Sequence, residues 1–460
     1  MNIIKKTKPM FNTTHLIIYG FAVVILLGTV LLMLPISSAA GQWTSFLDSM
    51  FTATTATCVT GLVVVPTYSH WSIFGKCVIL TLIQLGGLGV ICIAMGFFIL
   101  IRRRITLKER RLIQDSYNLD NNGGMVKVIL SVFRITFTIE GIGAILYSIR
   151  FIPEFGVAKG ICYSVFHSVS AFCNAGLDLL GETSLSMYYN DVLVNVITMF
   201  LIVSGGLGFI VWWELQDVMY SVIRRELTIN KVVERLSLHS KLALVATIIF
   251  IIGGAVIVFI FEYSNADTIG ELPFGEKIIV SLFESVTLRT AGFSTIPQTG
   301  FRDATFFVMC FLMLVGGSPI GTAGGIKTTT VAILWVEILS VVKGKKAAEV
   351  FRRRINRENV RTAISVMAIS IFCVIIGIML LTVTEKDVSL RVIVFEAFSA
   401  IATVGLSMDF TAMLSDYGKI IIIIMMFLGR IGPITMAMAF MARRRRALDR
   451  DYPEKRIIIG

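Results

Sequence analysis

Apolar residues run in long stretches along this chain, and short polar stretches interrupt them at a regular interval. Four apolar stretches, near residues 15–36, 126–150, 241–263 and 361–384, can each cross the ~30 Å hydrocarbon core of a bilayer as one helix. Each is followed by a short amphipathic segment, near 44–57, 159–173, 276–289 and 389–402. A second long apolar stretch then follows, near 73–101, 190–222, 303–342 and 416–442. A helix of about 14 residues rises only ~21 Å, too little to span. The short segments lie between long helices whose far ends are basic, so they are expected to enter from the outer side and return. Two crossings per unit bring the chain back to one side each time. All four units then share one orientation and can surround one axis, which inverted repeats could not do.

The short segments repeat one pattern. Each opens on a phenylalanine (Phe51, Phe166, Phe283, Phe395) and closes on a glycine (Gly61, Gly176, Gly292, Gly405), and the glycines lie 115, 116 and 113 residues apart. The units divide the chain into 1–112, 113–230, 231–345 and 346–442, with a tail at 443–460. The expected fold is therefore an all-α integral membrane protein. It consists of four parallel helix–re-entrant P-loop–helix repeats with pseudo-fourfold symmetry around a central pore. In the third segment phenylalanine and glycine are nine steps apart rather than ten, which predicts a departure from strict fourfold symmetry in the ring.

Composition agrees with this pattern. The chain is 55% hydrophobic and only 16% charged, with mean hydropathy +0.82, which leaves too little polar surface for a soluble domain. The net charge of +12 sits in linkers, at Lys5–Lys8, Arg102–Arg111, Arg224–Lys241, Lys343–Arg361 and Arg443–Arg446. Lys and Arg gather on the cytoplasmic side of membrane proteins, so this is a positive-inside signal and not a nucleic-acid surface. It places the protein in the cell membrane as a multi-pass chain with cytoplasmic N- and C-termini. The first apolar run is too long for a signal-peptide core and has no clear cleavage site. Seven cysteines without paired spacing read as free thiols, and four scattered histidines have no metal-ligand spacing.

A glycine at the end of each re-entrant helix accepts the backbone angles that turn carbonyls inward. Four such turns, Thr60-Gly61, Ala175-Gly176, Ala291-Gly292 and Val404-Gly405, would form a ring of carbonyl oxygens that can replace the water shell of a monovalent cation. Thr57, Asn174, Thr290 and Thr403 add small polar groups and no carboxylate, which suits a weakly hydrated ion better than calcium or magnesium. The short helices would turn their negative C-terminal ends toward the same point.

A second layer recurs 25 to 30 residues later: Gly86-Gly87, Gly205-Gly206, Gly316-Gly317 and Gly429-Arg430. In the first two units the doublets are read as close-packing sites, leaving only the third second helix broken. There Gly316, Gly317, Ser318, Pro319, Gly324 and Gly325, followed by Lys327, cannot sustain a helix and lie at membrane depth. The loop 316–326 is thus the expected gate. Its likeness to a phosphate-binding loop fails because Ile326 stands where that motif needs glycine. Arg430, costly at this depth, has three readings: it holds the gate loop's carbonyls, repels cations electrostatically, or is buried against a carboxylate. Arg289 is expected to brace the filter from behind. Glu284 and Glu396 favour helix N-termini or attract cations, and Glu140 needs a partner inside a first helix.

The runs Gly176-Leu-Asp178, Arg289-Thr-Ala-Gly-Phe-Ser-Thr295 and Thr403-Val-Gly-Leu-Ser407, the whole-chain repeat and the basic linkers together resemble the Trk/Ktr/HKT superfamily of potassium transporters. Within it the chain is similar to the KtrB-like membrane subunits, over almost its entire length. The resemblance implies a single-layer filter that selects K+ at Gly61, Gly176, Gly292 and Gly405, with the intramembrane loop and Arg430 as gate. It implies potassium uptake, K+ as the transported ion, sodium as a candidate stimulating ion and no covalently bound cofactor. It also implies a homodimer, with one pore per protomer, docked on a cytoplasmic ring of RCK-type (KtrA-like) nucleotide-binding subunits. The alternatives are a sodium-coupled secondary cation symporter and a sodium-conducting member of the same superfamily. No catalytic constellation is placed for an enzyme. The tail from Asp451 to Gly460 is read either as an inter-subunit contact or as an ordinary terminus.

Overall fold

The computed structural model describes residues 13–89, 125–181, 183–224, 232–345 and 347–432, together with isolated positions at 92–93, 95 and 435. The N-terminal lysines, the linker with Arg102–Arg111, the arginines at 443–446 and the 443–460 tail lie outside the described residues.

The first helices of the four repeats are Thr13–Met33, Met125–Phe155, Leu238–Glu262 and Arg357–Thr384, all long and apolar enough to cross a membrane. Much of each is exposed apolar surface, for example at Leu27, Ile249 and Phe372. In water such a surface would be a liability, but against lipid tails it faces a matching solvent. The short helices are Phe46–Cys58, Val157–Cys173, Phe274–Thr287 and Leu390–Ala402. They run through the centre of the molecule, and the phenylalanine that opens each repeated segment is buried: Phe51, Phe166, Phe283 and Phe395. Burying one such ring removes roughly 2 kcal/mol worth of apolar surface from water.

The second helices depart from expectation. Helix Val192–Gly206 does not continue to residue 222. It bends by 99° into Phe209–Ile223 across Leu207 and Gly208. The third is split into Asp303–Leu314 and Thr328–Val342 around the glycine-rich loop, as expected. The first and fourth, Ile73–Leu88 and Asp416–Ile431, end at Gly89 and Gly432. The physical reason lies in the third glycine of the motif. Gly89, Gly208 and Gly432 have φ of +85°, +89° and +92°, a region that ordinary side chains avoid. Pro319 takes this place in the third repeat, where the helix has already ended at Leu314 and the Gly316 N–H donates to the Ile326 carbonyl instead. The doublets are therefore close-packing sites and hinge markers at once.

In the second, third and fourth repeats, polar contacts tie the C-terminal end of the first helix to the start of the second. Glu262 accepts from Thr268 at 2.8 Å, from the Arg302 backbone at 3.1 Å and from Thr305. Glu385 accepts from Ser415. Arg150 bridges Glu154 at 3.0 Å and Asp191 at 2.8 Å. Other contacts join neighbouring repeats in cyclic order. Gln84 donates to Glu140 at 3.1 Å, which gives Glu140 its partner. The Leu185 backbone donates to Ser294 at 3.0 Å, and Arg391 pairs with Asp303 at 2.9 Å. Lys419 of the fourth repeat pairs with Asp48 of the first at 2.8 Å and closes the circle. A small hairpin, Glu349–Val350 paired with Arg353–Arg354, lies in the last basic linker.

Burial alone would push the Asp48 carboxyl up, but hydrogen bonds from Lys419 and Ser45 and the Lys419 charge outweigh it and hold it below its usual value. A carboxyl with a depressed folded-state pKa stabilises the fold above the ordinary Asp value of 3.8 and loses that contribution as pH falls through the lower folded value. Lys419→Met is expected to lower stability by about 1 kcal/mol at neutral pH. Thermal unfolding in detergent checks this, and the deficit should be unchanged between neutral and mildly acidic pH.

Candidate functional site

The four glycines meet at one point. A β-carbon built on Gly61 would stand 2.7 Å from the Ala175 carbonyl oxygen; on Gly176, 2.6 Å from that of Ala291; on Gly292, 2.6 Å from that of Val404. On Gly405 it would overlap the Thr60 carbonyl oxygen. Each glycine thus lies against the carbonyl that precedes the next glycine, and the fourth returns to the first. All four have positive φ, between +65° and +100°. Close approach and backbone angle both require glycine here.

The residue two before each glycine is also left-handed: Val59, Asn174, Thr290 and Thr403, with φ between 54° and 66°. Their side chains turn toward the glycine doublets of the second helices. β-carbons on Gly86, Gly205, Gly316 and Gly429 would stand 3.0 to 3.1 Å from Val59, Asn174, Thr290 and Thr403, in that order. Asn174, Thr290 and Thr403 therefore join the ring to the layer beneath it. The hydroxyls of Thr57, Thr60, Thr290 and Thr403 are buried and unpartnered among the described residues.

The short third segment does not distort the ring. In three repeats the residue before the glycine donates its backbone N–H five residues back: Thr60 to Thr55, Ala175 to Ser170 and Val404 to Ser399, each at 2.8 Å. In the third, Ala291 donates four residues back to Thr287, at 3.0 Å. The missing residue is absorbed at the helix end, and Gly292 keeps its place. The expected departure from fourfold symmetry is thus confined to this junction.

A hydroxyl supports each turn. Thr55 and Ser399 accept from the backbone N–H groups of Gly61 and Gly405, both at 3.0 Å. Ser170 and Thr287 donate to the carbonyls of Leu177 and Phe293, both at 2.6 Å. None of these four residues is among the positions that the sequence pattern singles out for the ring. The available signal was a Ser or Thr four positions after each segment's phenylalanine.

On one side of the ring lies a 350 Å³ vestibule, lined by the four glycines with Asp178, Ser294, Gln298, Ser407 and Asp409 among others. Burial pushes the Asp178 carboxyl up to about 6, although Leu180, Ser184 and Gly181 donate to it. A second cavity of 210 Å³ is lined by Gly86, Gly87, Ile320, Ala323, Lys327 and Arg430. One chamber thus carries carboxylates and the other carries cations.

The loop beneath the ring is held on every side. Ser318 and Thr322 donate backbone N–H groups to Gly206 and Gly205, at 2.7 and 3.2 Å. The Thr322 hydroxyl donates to the Phe172 carbonyl at 2.9 Å. Arg289 donates to the Gly316 carbonyl at 3.2 Å, so it braces the structure from behind the ring. Lys327 donates to the Ala323 carbonyl at 2.7 Å. Arg430 donates to the carbonyls of Thr322 and Gly86, and to that of Gly87 at 3.3 Å. It ties the third repeat's loop to the first repeat from a base on the fourth. Among the described residues no carboxylate pairs with Arg430, which removes the reading of a simple buried ion pair.

Residues 5–446 match the family of TrkH cation transport proteins. The potassium/sodium uptake protein NtpJ of Enterococcus hirae is 39% identical, over 99% of both chains. The Ktr system potassium uptake protein B of Bacillus subtilis is 40% identical, over 98% of this chain and 97% of its own. The fold is shared with the potassium transporter TrkH of Vibrio parahaemolyticus, at TM-score 0.72 and 14% identity, over 96% of this chain and 87% of that one.

The doublet glycines can be tested without any assay of function. A β-carbon at Gly86 or Gly205 would overlap the carbonyl of Thr57 or Phe172, whereas at Gly253 it would meet nothing within 4 Å. Gly86→Ala and Gly205→Ala are expected to reduce the yield of folded, monodisperse protein severalfold. Gly253→Ala is expected to be neutral or stabilising by up to ~1 kcal/mol, because alanine is the better helix former. Fluorescence-detected size exclusion and thermal unfolding check both.

Proposed function

Because the chain belongs to the TrkH cation transport protein family, we propose that it is the membrane subunit of a potassium uptake system and passes K+ through the four-glycine ring. The observation that carries this reading is the cyclic contact of the four glycines with the carbonyls of Thr60, Ala175, Ala291 and Val404. Neutral carbonyl oxygens converging from four sides replace the hydration of a monovalent cation. A single glycine per turn gives few coordination layers, so sodium is discriminated against only modestly. This agrees with the sodium in the name of the Enterococcus hirae relative, a potassium/sodium uptake protein.

Below the ring, the loop 316–326, Lys327 and Arg430 form the gate. The Arg430 guanidinium sits on loop carbonyls and places a positive charge in the cation path, so it both closes the loop and repels the ion. Asp178 and Asp409 give the outer vestibule negative potential, which concentrates cations before the ring. The basic linkers favour cytoplasmic termini in the cell membrane. The likeness to a Ktr system protein supports a subunit that works with others in one system; in this reading it is a homodimer on a cytoplasmic ring of nucleotide-binding subunits.

Rubidium uptake tests the assignment, in a bacterium lacking its own potassium uptake systems and supplied with a cognate cytoplasmic subunit. Wild type should take up rubidium, with potassium competing better than sodium, and Gly292→Ser should weaken uptake or its selectivity. Failure of rubidium to enter at all would remove potassium as the cargo. Arg430→Gln should raise the uptake rate; a lower rate with intact folding would rule out the blocking role. Uptake by wild type should decline as external pH falls through about 6, where Asp178 gains its proton, and Asp178→Asn should flatten that step.

A further inference from the structure

The last basic linker folds into a defined shape. Between Lys343 and Arg361 it carries eight lysines and arginines against two glutamates. Gly344, at φ +64°, ends the helix Thr328–Val342 and turns the chain back along it. The Lys345 backbone donates to the Ser340 carbonyl at 2.9 Å, and the Ser340 hydroxyl donates to the Ala347 carbonyl at 2.7 Å. The hairpin of Glu349–Val350 and Arg353–Arg354 follows, closed by the Ile355 N–H on the Ala348 carbonyl at 2.9 Å. Val350 packs with Ile333 and Val336 of the helix on the buried residues Ala348, Ile355 and Val360. The hairpin is thus held beside the middle of the helix. Its two-residue turn is Phe351-Arg352, at φ of +50° and +60°. Asn-Gly is the usual pair in such a turn, because bulky side chains avoid positive φ. The strained turn presents side chains outward: Phe351 is 47% exposed at the tip, and Arg352, Arg353 and Arg354 are exposed around it. Among the described residues none of these arginines pairs with a carboxylate. The helix alongside has an exposed apolar face at Trp335, Ile338 and Val342, spaced three and four residues apart.

We propose that this hairpin is a binding site for anionic phospholipids of the leaflet that the basic linkers face. The three arginines take the phosphates, and Phe351 sits at the boundary of the acyl chains. A guanidinium meets phosphate oxygens with two parallel hydrogen bonds, which gives the site preference for a headgroup and not only for negative potential. Several cations next to a membrane helix draw anionic lipid toward it. Aromatic and aliphatic side chains beside such a cluster bury themselves where headgroups give way to chains. An acidic protein surface would match the arginines equally well, but it would leave Phe351 and the face of Trp335, Ile338 and Val342 without an apolar partner. The site rests on the membrane reading of the chain and on the orientation of its basic linkers. It does not require the ring to conduct.

The full chain in phosphatidylcholine vesicles containing a minor share of phosphatidylglycerol tests the site. Phe351→Trp adds a fluorophore at the tip, read as the difference from wild type. Phosphatidylglycerol with brominated chains should quench the added emission severalfold more than an equal amount of brominated phosphatidylcholine. Arg352→Gln, Arg353→Gln and Arg354→Gln together should bring the two lipids level. Thermal unfolding in detergent gives a second reading, in which phosphatidylglycerol, against phosphatidylcholine, should raise the melting temperature of wild type in a saturable way. Phe351→Asn with Arg352→Gly supplies the residues that the turn prefers, so the hairpin stays folded while that rise should shrink by half or more. Equal quenching by the two brominated lipids in Phe351→Trp would overturn the proposal. So would emission that neither lipid quenches but that a cognate cytoplasmic subunit shifts, because the tip would then dock on protein. Rubidium uptake separates this site from the pore reading: wild type that takes up no rubidium yet shows the lipid preference keeps the site and loses the pore, whereas uptake without the preference does the reverse.

Discussion

Backbone polar groups at membrane depth must find partners, and this requirement shapes the whole molecule. A helix satisfies its own groups except at its ends. Four short helices end near the centre of this protein, and each end frees carbonyls that have no helical partner. The carbonyls of Thr60, Ala175, Ala291 and Val404 lie against the preceding repeat's glycine, that of Thr60 against Gly405 of the fourth repeat, so they converge around one axis. Water or a cation is the natural partner for such a ring. Its precision comes from behind, where the hydroxyls of Thr55, Ser170, Thr287 and Ser399 hold the turns in place.

The layer beneath meets the same requirement in the opposite way. The loop carbonyls of Gly316, Thr322 and Ala323 also point away from regular structure, but side chains answer them: Arg289, Arg430 and Lys327. In the transport reading proposed above, the upper carbonyls take the ion while the lower ones are taken by the protein's own cations, so an ion leaving the ring would meet fixed positive charge. The two layers are joined directly, since the left-handed residues that shape the ring rest on the glycine doublets of the layer below.

The repeats serve as comparisons for one another. Where three agree and one differs, the exception marks a specialised place. The third repeat is the exception twice: in its shortened helix end at Ala291 and in Pro319 where the others have glycine. The fourth is the exception once, where Arg430 replaces the second doublet glycine. Fourfold sequence similarity therefore fixes the frame, and its violations mark where one repeat departs from the others.

Period and polarity along the chain were enough to predict four parallel units, four re-entrant helices and the glycine that ends each of them. These features rest on local rules: a length that cannot span, a residue that alone accepts a left-handed turn, and charge that does not cross a membrane. The glycine-rich break in the third second helix was legible for the same reason. Other features depended on contacts between residues over a hundred positions apart. The bend at Leu207–Gly208 was hidden because glycines in an apolar helix, here Gly205 and Gly206 beside Gly208, read as packing sites until the backbone angle is seen. The ring's symmetry despite a missing residue was decided by one hydrogen bond, from Ala291 to Thr287. The partners of Arg430, drawn from the first and third repeats, could not be read from its neighbours in sequence. Sequence sets what each segment can do on its own, whereas only the tertiary structure decides which distant carbonyl a buried charge will find.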